Sequence, residues 1–135
     1  MAPRDRTTIP FASCQPMVDA IWSDMGLRYP PAVEQLSRRA TATIASANRL
    51  SLFVPDRIPA WCLLHEIAHA MSTTVDGRSD GHGSIFMGLY ARLLVRYLRL
   101  DEGHVLASLR QAGISIARDA RSVFLDPDPR DGEAR

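Results

Sequence analysis

Lysine is absent from this chain and cysteine nearly so. All 16 basic residues are arginine, balanced by 15 acidic ones to a net charge of +1. The missing lysine reads as the codon bias of a GC-rich genome, and the near-zero net charge singles out no nucleic acid or acidic surface as a partner. Two cysteines, Cys14 and Cys62, cannot build a disulfide framework, and Cys62 lies in an apolar stretch, so both read as buried thiols. No run approaches the roughly 20 apolar residues needed to cross a bilayer, and no charged start followed by an apolar segment opens the chain. A cytoplasmic location is the default expectation. Aromatic residues are few, at 7%, and are not interleaved with the arginines as single-stranded nucleic-acid binding would require. No internal repeat is visible.

What is present is enough for one globular domain. With 135 residues and 46% hydrophobic content, the chain can bury a continuous core without staples. Residues 1–10 are polar with two prolines and are expected to be poorly ordered, and so is the tail 126–135; the span 11–125 is expected to form the domain. Pro16 to Met25 reads as an amphipathic helix ended by Gly26. Val33 to Ala45 is ambiguous between helix and strand, with a strand favoured in its second half. Ser46 to Arg49 reads as a turn and Leu50 to Val54 as a strand, stopped by Pro55, Asp56 and Pro59. Phe86, Leu89, Leu93 and Tyr97 keep helical spacing, and a further amphipathic segment follows Asp101 and Glu102. Ile114 to Ala117 reads as a short closing strand. Helices and short strands in this order predict an α+β fold.

Chemistry is concentrated in Trp61 to Met71, WCLLHEIAHAM, which holds a His-Glu-x-x-His box at His65, Glu66 and His69. With four histidines and four glutamates, composition alone yields this box in roughly one such chain in 300, so chance is a poor explanation. On a helix, residues four apart are related by a turn of about 400° and a rise of about 6 Å, so one divalent ion can bridge both imidazoles. Glu66 lies about 100° round from His65, beside that ion and free to act on water. Trp61, Leu64, Ala68 and Met71 repeat at helical spacing, and polar residues within so apolar a helix need a reason to be there. A metal-activated water is the implied reagent.

A catalytic zinc site usually takes three protein ligands, which leaves one to find. Asp76, Asp80, His82 and Glu102 follow the box. His82 is favoured, because neutral imidazole matches the first two ligands and because it opens the next helix after a glycine-bearing loop over residues 73–81. Asp76 suits a turn, Asp80 suits starting the next helix or orienting a ligand histidine, and Glu102 is the alternative ligand. The form with a third histidine ten positions after the first is excluded, since Val75 stands there and Ser72 replaces its glycine.

HEIAHA, followed after a short loop by GHGSIF and an apolar helix, resembles the compact zincins of the SprT-like type, and more closely the small metallohydrolases of high-GC bacteria. The resemblance spans about Leu50 to Leu100. It implies a zincin-like fold, with a small sheet packed on the box helix and on a second helix that begins at the HG-x-x-F element. It implies zinc bound by His65, His69 and His82, Glu66 as general base, and Gly83 and Phe86 shaping the second helix. Tyr90 falls where such sequences often carry a tyrosine, a candidate for orienting substrate or stabilising an oxyanion. Ser84 and Ile85 depart from the proline and acidic residue often found there. No paired CxxC elements follow, so a role at DNA-protein crosslinks is not implied.

The expected function is therefore zinc-dependent hydrolysis of a peptide or amide bond, with a peptide or protein as partner. The rival is a zinc-binding regulatory or interaction module, whose site would be closed by a fourth protein ligand. A nucleic-acid role resting on the stripe Arg92, Arg96, Arg99 ranks last.

Overall fold

The computed structural model describes residues 8–36, 45–74, 76–99, 101–111 and 120–123. Within them the fold is mixed α+β. In order come β1 (Thr8–Pro10), α1 (Phe11–Asp24), β2 (Ala32–Gln35), β3 (Ser46–Ala47), β4 (Ser51–Val54), β5 (Arg57–Pro59), α2 (Ala60–Met71), α3 (Ser84–Tyr97) and α4 (Glu102–Gln111). One sheet runs β2-β4-β3, with β2 parallel and β3 antiparallel to β4; the other pairs β1 with β5, antiparallel.

The box helix α2 is the centre of the packing. Cys62, Leu63, Leu64, Ile67, Ala68, Ala70 and Met71 are all buried, so the helix is apolar over most of its circumference. Such a helix needs cover on several sides. It packs mainly on α3, with β3, β4 and β5 on other flanks. From β4 the alternating residues Leu52 and Val54 are fully buried, the period-two pattern of a strand with one covered face. From α3 come Phe86, Leu89, Leu93 and Leu94, all sealed from solvent. Trp22 of α1 is fully buried and donates from Nε1 to the Arg28 carbonyl at 2.6 Å, while the Arg49 guanidinium lies 5.0 Å over its ring.

Several expectations are corrected. Thr8 to Pro10, expected to be poorly ordered, form β1 by pairing with Arg57–Pro59, a stretch whose Pro59 had marked it only as a stop. Both prolines sit at strand ends, where the missing N–H costs least. Helix α1 begins a turn before Pro16, because the Phe11 N–H is held at 2.8 Å by the Asp56 carbonyl. It ends at Asp24, with Gly26 in the left-handed region at φ 78°. Of the ambiguous span Val33 to Ala45, the first residues, Val33 to Gln35, are strand. Ser46 and Ala47 are also strand, and the turn lies at Asn48 to Leu50, where Asn48 Oδ1 accepts the N–H groups of Leu50 and Ser51, each at 2.9 Å. Leu50, expected in β4, is 59% exposed. The strand favoured for the second half of 33–45 falls mostly on residues 37–44, outside the described residues, as do the strand expected at 114–117 and the tail. No helix is long and apolar enough to cross a membrane.

Candidate metal centre

His65 and His69 lie one turn apart on α2, and both are half-buried at the edge of its apolar surface. His82 arrives from the α2–α3 loop. That loop is tied down by backbone and side-chain bonds rather than by apolar packing. Thr73 Oγ1 donates to the His69 carbonyl at 2.6 Å, Thr73 and Ser79 form an isolated bridge, and Thr74 N donates to the Arg78 carbonyl at 2.8 Å. Gly77 and Gly81 adopt φ of 89° and 63°, turning the chain back toward α2 in a conformation that costs glycine little. Asp80 then closes the turn. Its Oδ2 accepts the Ile85 N–H at 2.8 Å and its Oδ1 the Phe86 N–H at 3.3 Å, satisfying two of the unpaired donors at the start of α3.

The loop brings the third imidazole onto the other two. One side-chain nitrogen from each of His65, His69 and His82 lies within 4.8 Å of the others, and His82 Nε2 stands 3.1 Å from His69 Nε2. Nitrogens at about 2.0–2.1 Å from a common tetrahedral ion are separated by about 3.3 Å, so the His69–His82 pair is already at bridging distance. Two imidazole nitrogens face to face must share either a proton or a cation. Burial, chiefly, and then the neighbouring His65 push the His69 pKa down to about 4, so the ring is neutral near pH 7 and keeps a lone pair for coordination.

Glu66 points into the protein rather than to solvent and is 5% exposed. Its Oε1 lies 3.2 Å from His65 Nδ1. If Nδ1 carries the proton it donates to that carboxylate, and Nε2 is left as the lone-pair nitrogen a metal ligand needs.

Phe86, 1% exposed, touches all three histidines. Its ring stacks on His69 at 4.2 Å and meets His65 and His82 edge-on at 5.0 and 4.9 Å. Sequence reasoning gave Phe86 only a part in shaping α3; its place four residues after His82 was the available signal. Tyr90, one turn on, sets its ring edge-on to His65 at 5.2 Å. The Tyr90 hydroxyl is buried and meets no hydrogen-bond partner among the described residues, and its pKa is driven far above the ordinary phenol value by burial and the nearby Cys62. The Cys62 thiol is itself pushed up to about 11, mainly by burial, so it is a neutral packing group.

The other candidates lie elsewhere. Asp76 is exposed and engaged with Thr74 and, at 3.4 Å, with Arg78; Asp80 caps α3; Glu102 is exposed in the first turn of α4. Among the described residues, the three histidines are the only set of three or more ligand-type side chains close enough to hold a metal. The arginine stripe, though exposed, is partly committed to bonds within the chain: Arg92 donates to the Ala120 carbonyl at 2.7 Å, and Arg96 forks onto both oxygens of Asp24 at 2.8 and 3.1 Å. None of the protein-family models, curated proteins or solved structures compared with this chain matches it.

Proposed function

We propose that the chain is a zinc-dependent metallohydrolase on a zincin-like α+β scaffold, hydrolysing a peptide or amide bond of a peptide or protein substrate with Glu66 as general base. The observation that carries the reading is the convergence of His65, His69 and His82 on one point, beside a buried carboxylate. Three nitrogens without a fourth protein donor among the described residues match the donor set of a catalytic zinc site, and the neutral state of His69 suits it. Held there, zinc would supply Lewis acidity, polarising a carbonyl and making water nucleophilic near neutral pH.

The remaining work belongs to the chain. Glu66, screened from bulk water, takes the proton of the attacking water and hands it to the departing amine. His65 is oriented by Glu66 through Nδ1, and the wall of Phe86 and Tyr90 holds the three imidazoles in one arrangement, so little reorganisation is required on reaction. Tyr90 takes the supporting part, since its hydroxyl is sealed from solvent.

A peptide-library cleavage assay on wild type and Glu66→Gln, with metal content measured on both, tests the proposal. Turnover in Glu66→Gln is expected to fall by about 100- to 10,000-fold while bound metal stays unchanged. Equal cleavage by the two proteins removes Glu66 as base. A folded, metal-loaded wild type that cleaves nothing favours the binding-module reading.

A further inference from the structure

Gly83 has φ −74° and ψ −169°, a conformation open to any residue, so its identity is not explained by the backbone. Space explains it. A Cβ at this position would lie 2.6 Å from Asp80 Oδ2, 2.9 Å from Asp80 Cγ and 2.9 Å from the Asp80 carbonyl oxygen. The space that glycine leaves empty is taken by the same carboxylate that binds the first N–H groups of α3. One of those groups, the Phe86 N–H, belongs to the residue whose ring touches all three histidines. His82 is the residue between Gly81, in the left-handed region, and Gly83, so its backbone is set by the turn that Asp80 closes.

We propose that Asp80 and Gly83 form one interlock that positions the third metal ligand: Asp80 is a positioning residue, acting on His82 and Phe86 through the α3 N-terminus, and Gly83 is the clearance that lets it do so. The inference rests on the three-histidine metal reading and adds that the ligand arm is built before metal arrives.

The test is a titration of the metal-free full chain with Co2+, read by the visible absorption of the tetrahedral ion, in wild type, Asp80→Ala, Asp80→Asn, Gly83→Ala and the double variant Asp80→Ala/Gly83→Ala. Each alanine variant alone is expected to weaken Co2+ binding by about 10- to 100-fold, the usual cost of losing a group that orients a ligand. Asp80→Asn, which keeps one side-chain oxygen for the helix, should fall between wild type and Asp80→Ala. Asp80→Ala removes the carboxylate that Gly83→Ala would displace but leaves the contact with the Asp80 carbonyl oxygen, so the double variant should lose less than the product of the two single losses. Single variants that bind as wild type, or losses that multiply in the double variant, overturn the interlock. Far-UV circular dichroism checks the fold, and if an alanine variant unfolds, Asp80→Asn binding as tightly as wild type overturns it alone. A wild type that binds no Co2+ refutes the metal reading itself and the interlock with it.

Discussion

Phe86 is the side chain on which the three histidines share a wall, so it should matter for metal affinity although it offers no ligand atom. Phe86→Ala opens a void in the core at a cost of about 3–5 kcal/mol and should loosen all three imidazoles together, weakening metal binding by about 10- to 100-fold. Phe86→Leu fills most of the space and is expected to recover most of the stability but not the stacking on His69. Chemical denaturation and metal titration, run side by side, separate the two effects. Tyr90 poses the opposite case. Its buried hydroxyl is desolvated without a partner among the described residues, so Tyr90→Phe should leave stability unchanged or raise it by up to about 1 kcal/mol. Turnover should change less than about threefold if the ring alone supports His65. A loss of about 100-fold would instead give the hydroxyl a place at the developing oxyanion. At this scale the box was legible in the sequence, because the four-residue spacing of His65 and His69 puts both imidazoles on one helix face with Glu66 about 100° round from His65. The wall was not, since which aromatic meets which imidazole depends on the crossing of α2 and α3.

Helix termini decide how the elements are joined, and here the sequence was read less well. Gly26 announced the end of α1, but α3 ends at Tyr97, capped by Leu98 and followed by Arg99 at φ 55°, a left-handed position that no glycine marks. The Cβ of Arg99 is disfavoured there, so Arg99→Gly should stabilise the protein by about 1 kcal/mol, seen as a higher midpoint in thermal unfolding. A fall in the midpoint would mean that the arginine side chain makes up for its backbone. The ends of α1 and α3 are joined by Asp24, which accepts from Arg96 and from the Tyr97 hydroxyl. The Arg96 hydrogen bond first, and that of Tyr97 next, hold the Asp24 pKa below its ordinary value. A carboxyl with a depressed folded pKa stabilises the fold above its unfolded pKa, near 3.9, and loses that contribution as pH falls through the folded value. Asp24→Asn should therefore melt below wild type at about pH 7, with the gap closing on acidification toward about pH 2. The strands were the hardest elements to read. β1, β3 and β5 have two or three residues each, too few for a period-two pattern to emerge, and proline-bearing segments that form strands only by finding each other look like breaks.

Over the whole molecule, α2 is enclosed by α3 and by strands of both sheets, and the loop between α2 and α3 carries the third histidine back to its start. The α+β class was legible because two long apolar periodicities flank the short strands. Sheet order was not, because the parallel pairing of Ala32–Gln35 with Ser51–Val54 joins segments far apart in sequence. A metal bridging α2 to the α3 loop binds only the folded chain with full strength, so it should stabilise the protein by about 2.7 kcal/mol at a hundredfold excess over its Kd, and a chelator should remove that gain. The most direct test of the account is the bound-metal stoichiometry of purified wild type and His82→Ala after equilibration with limiting zinc. The account predicts one ion per wild-type chain and a loss of most of it in His82→Ala with the fold intact; zinc retained by His82→Ala at wild-type affinity would contradict it.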